Sequence, residues 1–214
     1  MNLLHNHRIW PGKGKSSEPL VGWWMKRLRE HHLQTYDHCV RVALLADKIV
    51  TALGHEEHRL SIINGCFLHD LGKIYISLET LDSTSKLSDE EWEQIRLHPV
   101  AGYQLLQFAG LAGEVPSYVL HHHERWDGRG YPYGLRGEEI PFGARLCAVS
   151  DALDCMLTHR PYQRSMNVDQ ALIELQKNAG TQFDEQIVQT VFNLSDELYR
   201  MYALKLGATQ SIER

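Results

Sequence analysis

Seven side chains in this sequence are of types that hold transition-metal ions: His38, His69, Asp70, His98, His122, His123 and Asp151. Imidazole mixed with carboxylate suits iron, manganese, zinc or nickel, whereas calcium and magnesium prefer oxygen alone. His69 and Asp70 are adjacent, so one helix end offers an imidazole nitrogen and a carboxylate whose two oxygens can bridge two cations. Taken singly, each histidine reads more simply as a satisfied core or surface residue. Taken together, the seven fall on or beside separate helices, which is how helical bundles build metal sites in their cores. There are enough donors for two ions with open positions. Two cations about 4 Å apart can generate a hydroxide nucleophile and clamp the oxygens of a phosphodiester during in-line displacement. Lys73, three residues beyond Asp70, is placed to stabilise charge developing on a phosphoryl group. Its plainer reading is a lysine complementing a helix dipole.

These donors need helices to position them, and the hydrophobic spacing supplies them. A short helix is expected from about Leu20 to His32, with Val21, Trp24 and Leu28 on one side. A stronger one is expected over Tyr36–Leu53, where Val40, Ala43, Leu44, Ile49 and Leu53 recur at mostly three- and four-residue steps before Gly54. Glu56–Leu71 reads as a helix ended by Gly72. Ser88 with Glu91 forms a capping-box pattern opening a helix toward His98. Pro99 puts His98 at a break. Helices are expected over Glu114–His123, Pro141–Leu157, Asn167–Asn178 and Asp184–Leu206, the last with Gly207 as its stop. Residues Arg125–Pro141 form a loop rich in Gly and Pro, and residues 1–18 read as a poorly ordered lead. Nothing alternates strictly enough to require a sheet, so the fold class is all-α: a helical bundle with a metal site in its core. The expected organisation is a partly helical extension over residues 1–33 and one domain over 34–214.

Bulk properties narrow the function. The 214 residues carry a formal net charge of −5, against a protein that coats nucleic-acid polymers or anionic membranes. No run approaches the roughly 20 apolar residues that span a bilayer. Met1–Lys15 lacks the apolar core of a signal peptide. Cys39, Cys66, Cys147 and Cys155 show no zinc-finger or redox spacing, and reduced thiols in a cytoplasm are expected. Thirteen histidines are an enrichment in the side chain most used as a metal ligand.

His69-Asp70-Leu71-Gly72-Lys73 resembles the HDxGK signature of the HD phosphohydrolase superfamily. His122-His123-Glu124-Arg125-Trp126-Asp127-Gly128-Arg129-Gly130-Tyr131-Pro132 closely resembles the HHExxDGxGYP motif of the HD-GYP family. The likeness continues through Ile140-Pro141, Ala144-Arg145, Asp151 to Asp154, Arg160-Pro161-Tyr162, Gly180 and Phe183-Asp184, covering roughly residues 34–195. The resemblance implies an all-α domain holding two or three metals, often iron or manganese, that hydrolyses cyclic di-GMP to pGpG and sometimes to GMP. Some members prefer cyclic GMP-AMP. It implies that His38, His69, Asp70 and Asp151 hold one metal, and that Asp70 bridges to a second held by His98, His122 and His123. It further implies that Lys73 faces the scissile phosphate, that Tyr131 and Arg160 hold the dinucleotide, and that Asp154 supports a ligand. Members with a third metal carry Glu four residues before the first histidine. Gln34 stands there in this chain, which favours two metals. Gln163 follows Tyr162 where Arg or Lys is usual, leaving Arg164 as the substitute phosphate contact. Ser77 and Ser83 replace a usual Pro and Lys in a loop able to shape substrate preference. Two other classes stay open at this point: a catalytically poor module that binds a cyclic dinucleotide, and a hydrolase of another phosphate ester. Homodimerisation and a signalling partner are also left open.

Overall fold

A computed structural model describes residues 20–158 and 165–209. Eleven α-helices occur among them: α1 Leu20–His31, α2 Leu33–Leu53, α3 Arg59–Leu68, α4 Leu78–Leu81, α5 Asp89–Arg96, α6 His98–Phe108, α7 Val115–His121, α8 Phe142–Leu157, α9 Val168–Lys177, α10 Glu185–Asn193 and α11 Ser195–Thr209. Among the described residues there is no strand, only an isolated bridge between Ala179 and Phe183. None of the described helices is long and apolar enough to cross a membrane. The lead expected over residues 1–18 lies outside the described residues.

Two apolar clusters hold the bundle. The larger joins α2, α3 and α8 to α9, α10 and α11 through side chains such as Val42, Ile49, Leu146, Leu153, Leu175 and Ile187. The smaller joins Trp24, Met25 and Leu28 of α1 to Cys39, Leu68, Leu71, Leu105 and Val119. Each fully buried aliphatic side chain contributes about 1.5–3 kcal/mol, enough in sum to carry a few costly buried ionisable groups. Those groups lie where the chain passes between the clusters. On α2, Cys39 belongs to the smaller cluster and Val42 to the larger, while Cys66 and Leu68 make the same passage at the end of α3. His38 and His69 stand at that seam. Helix α1 falls in the expected extension, yet it buries Trp24, Met25 and Leu28 almost completely.

Several expected boundaries hold. Gly54 caps α2 with φ 74°, the left-handed backbone that glycine adopts freely. Ser88 and Glu91 form the expected reciprocal cap of α5, and His98 opens α6 with Pro99 in its first turn. Others move. Helix α2 starts at Leu33 because the His32 side chain accepts from Thr35 N, doing the work of a cap. Leu44 is 54% exposed: Leu45 and Ala46 turn inward instead, so the leucine is a surface residue. Gly72 is no helix stop. α3 ends at Leu68 and Gly72 lies within a 3-10 turn over Leu71–Tyr75, where an added Cβ would sit 2.0 Å from the His98 carbonyl oxygen. Its glycine is required by the close approach of two backbones. The single helix expected over Asp184–Leu206 is two, broken at Leu194, with α11 running past Gly207 to Thr209. Asn193 and Ser195 flank the break, and Asp196 and Glu197 favour a new helix N-terminus.

Candidate metal centre

Three histidines share one local device. His69 follows the last residue of α3, His98 opens α6 straight after α5, and His122 follows α7. The last carbonyls of a helix have no intrahelical donor. Each histidine supplies one to the carbonyl three residues back: His69 Nδ1 to Cys66 O at 2.7 Å, His98 Nδ1 to Ile95 O at 2.6 Å, and His122 Nδ1 to Val119 O at 2.7 Å. A carbonyl only accepts, so Nδ1 carries the proton and Nε2 presents a lone pair. His38, in the second turn of α2, donates Nδ1–H to Asp154 Oδ2 at 2.7 Å, while its Nε2 lies 2.9 Å from Asp151 Oδ1. This is the outer-shell arrangement that orients metal-bound histidines.

The donor atoms converge in two groups. His38, His69 and Asp151 present ligand atoms within 4.8 Å of one another, and so do His98, His122 and His123. Asp70 lies between them and is almost wholly buried. Its Oδ2 is 3.5 Å from His69 Nε2 and 4.0 Å from His38 Nε2, while its Oδ1 is 3.2 Å from His98 Nε2. The two oxygens of one carboxylate therefore face different groups. Lys73 lies on this carboxylate, with Nζ 2.6 Å from Oδ2.

The residues fit a metal. His69 Nε2 and Asp70 Oδ1 are buried without a hydrogen-bond partner. The 3.2 Å approach of His98 Nε2 to Asp70 Oδ1 supplies no proton, because the His98 proton is committed to Ile95. The Nε2 atoms of His98 and His122 face each other at 3.1 Å, lone pair to lone pair. A cation between such atoms would turn repulsion into coordination. Burial favours neutral imidazole in most of the set: it draws His69 down and His122 well down, and takes His123 to about 3 with the help of His98. His38 goes the other way. Burial opposes its charge, but the Asp151 and Asp154 hydrogen bonds outweigh that and raise it. Burial also pushes the Asp70 and Asp151 carboxyls up, yet Lys73 and nearby imidazoles for the one, and His38 for the other, hold both well below the usual range. Cys39 also presents its sulfur beside His69 and Asp70, but burial pushes that thiol well up, so it stays protonated.

Asp154 is fully buried beside His38. It accepts Arg41 Nε and Nη2 at 2.7 and 2.9 Å and the Tyr202 hydroxyl of α11 at 3.1 Å. Burial pushes its carboxyl up, but the His38 and Arg41 hydrogen bonds prevail and leave it at about 2. Tyr131 stacks on His123 with ring centroids 4.8 Å apart, and the Arg96 guanidinium lies 5.8 Å from the Tyr131 ring. Arg160 and Arg164 lie outside the described residues. Sequence reasoning missed three residues. Arg41 and Tyr202 hold Asp154. Glu124, buried in the long motif, accepts Tyr133 N at 2.7 Å and Leu135 N at 3.1 Å and so shapes the loop carrying Tyr131. Its place as the acidic residue of the HHExxDGxGYP-like stretch was the signal for it. A cleft of about 800 Å³ opens over His38, Asp70, Arg41 and Lys73, bounded beyond them by residues 80–87, Trp92 and Ile95.

Fold and site together define an all-helical HD-type domain. The family model described as "HD domain" matches residues 24–187, and the chain belongs to that family, in its HD-GYP branch. The chain is 38% identical over 159 residues to a cyclic di-GMP phosphodiesterase response regulator of Xanthomonas campestris pv. campestris, an alignment covering 71% of this chain and 41% of the relative. It is 32% identical over 153 residues to a 3'3'-cGAMP-specific phosphodiesterase of Vibrio cholerae, covering 71% and 33%. Among solved structures, an HDG"Y"P protein of Bdellovibrio bacteriovorus superposes with a TM-score of 0.63 at 22% identity, covering 83% of this chain and 60% of that one. The chain thus spans less than half the length of these two curated relatives.

Proposed function

We propose that this chain is a metal-dependent phosphodiesterase that hydrolyses cyclic di-GMP to linear pGpG. The observation that carries the reading is Asp70, whose two oxygens face two separate groups of metal-donor side chains. In this reading His38, His69 and Asp151 hold one divalent ion, His98, His122 and His123 hold the other, and Asp70 serves both. The donor set suits iron or manganese, with zinc and nickel as further candidates. Gln34 in place of a carboxylate favours two ions over three. When bound, such a pair supplies an activated water and electrophilic clamping of the phosphodiester oxygens.

The chain's own groups do the rest. Lys73, on the cleft wall, moves from Asp70 toward the phosphoryl oxygens as charge builds there. Asp154 and Arg41 keep His38 in its Nδ1–H tautomer. Tyr131, Arg160 and Arg164 hold the dinucleotide. The buried thiols of Cys39, Cys66 and Cys147 support action in the reducing cytoplasm. A second reading, preference for cyclic GMP-AMP, is favoured by the likeness to the 3'3'-cGAMP-specific relative. The test is to reconstitute the protein anaerobically with iron or manganese, count the ions per chain, and separate linear products from cyclic di-GMP and cyclic GMP-AMP. Two ions and cleavage of cyclic di-GMP support the first reading, and faster cleavage of cyclic GMP-AMP the second. Tight binding without cleavage of either would make the chain a receptor.

A further inference from the structure

Helix α5 buries none of its eight residues. Trp92 and Ile95, three positions apart and so on one face, look into the cleft, and Trp92 is 49% exposed. A half-exposed indole is costly to leave facing water, since an aromatic of this size gains most when covered. The same cleft is lined by His38, Asp70 and Lys73 as well as by Trp92, Ile95 and Leu87. The cleft therefore offers the Lys73 ammonium to an anionic phosphodiester and the exposed Trp92 indole to a flat apolar face. A cyclic dinucleotide has both, with charged phosphates and flat purines whose faces are apolar. Arg96, the next residue after Ile95, reaches the Tyr131 ring, which stacks on His123. Through that contact α5 approaches the second group of imidazoles.

We infer that Trp92 is a stacking platform for one purine of the dinucleotide whose phosphate lies at Asp70 and Lys73. The inference rests on the proposed activity and adds a specificity-determining residue to it. Stacking acts equally on substrate and transition state, so it bears on KM rather than kcat. Trp92→Ala should raise KM for cyclic di-GMP by about 5- to 150-fold, the range that loss of one base–aromatic stack gives, with kcat within about threefold and the metal content unchanged. Trp92→Phe should recover most of the affinity, and Trp92→Leu, apolar but without a π-face, should not. An unchanged KM in Trp92→Ala, or equal behaviour of the Phe and Leu variants, overturns the assignment. Calorimetric titration of cyclic di-GMP into metal-free wild type and Trp92→Ala decides the matter without turnover: equal affinities overturn it, and weaker binding to the variant supports it. If the loaded wild type cleaves no cyclic dinucleotide, the proposed activity falls on its own, while this binding comparison still judges Trp92.

Discussion

The two halves of the centre are built on different principles. Around His38 the chain gathers charge: Asp151 on one nitrogen, Asp154 on the other, and Arg41 clamping Asp154. Around His98, His122 and His123 it gathers imidazole rings, with two Nδ1–H groups tied to helix-terminal carbonyls and Asp70 Oδ1 3.2 Å from His98. The first half sets two carboxylates about one imidazole, where a bound cation would meet their charge. The second offers ring nitrogens, and burial holds His122 and His123 against protonation. A site can thus be preorganised by ion pairs or by helix ends, and this molecule uses both across one shared carboxylate.

The sharpest way to break the comparison is to remove what the halves share. Asp70→Ala should abolish turnover and release both ions, read by elemental analysis and product chromatography. Full metal content with retained activity would show that the halves do not depend on Asp70. The next effect in size belongs to Lys73. Lys73→Ala should keep its ions and lose about 10²–10³ in kcat, as removal of one preorganised electrostatic contact does. An unchanged kcat would leave Lys73 as a counter-charge to Asp70 and nothing more. Asp154→Asn should sharpen the difference between the halves. It weakens the support of His38 alone, and loss of an outer partner costs about 10–100-fold in affinity, so one ion should dissociate with a weakened constant while the other is unaffected. Equal weakening of both would mean the halves are one unit.

The smallest effect concerns acid. The Asp154 carboxyl sits at about 2, below its usual value of 3.8. Its contribution is present above the unfolded value and is lost as pH falls through the window from 3.8 to about 2. At 1.36 kcal/mol per pKa unit that is about 2 kcal/mol. Denaturant titration of metal-free protein between pH 5 and pH 2 should show this loss, and Asp154→Asn should lack it. An identical slope in both would assign the acid sensitivity elsewhere.

How far such features can be read from the chain depends on how local they are. The imidazoles at helix ends were legible because a histidine beside a capping signal or proline is a local pattern, as at Ser88 to Pro99. The reciprocal cap of α5 and the left-handed Gly54 were legible for the same reason. Gly72 was misread as a stop, since its requirement comes from the His98 carbonyl 26 positions away in sequence. Leu44 satisfied the helical period yet faces water, because α2 packs on both clusters and its buried stripe passes through Leu45 and Ala46. Arg41 reads as an ordinary helix-surface cation. Only the fold brings Asp154, 113 residues on, to meet it.

Tyr202 carries a thermodynamic consequence. Its hydroxyl, from the C-terminal helix α11, donates to the same Asp154 that holds His38. Helix α11 and an ion beside His38 thus act on one carboxylate, and coupling between two binding equilibria is reciprocal. Whatever factor the ion adds to the docking of α11, the docking of α11 adds to the hold on the ion. A binder that pulls α11 away loosens the centre by that factor, with no contact to any ligand.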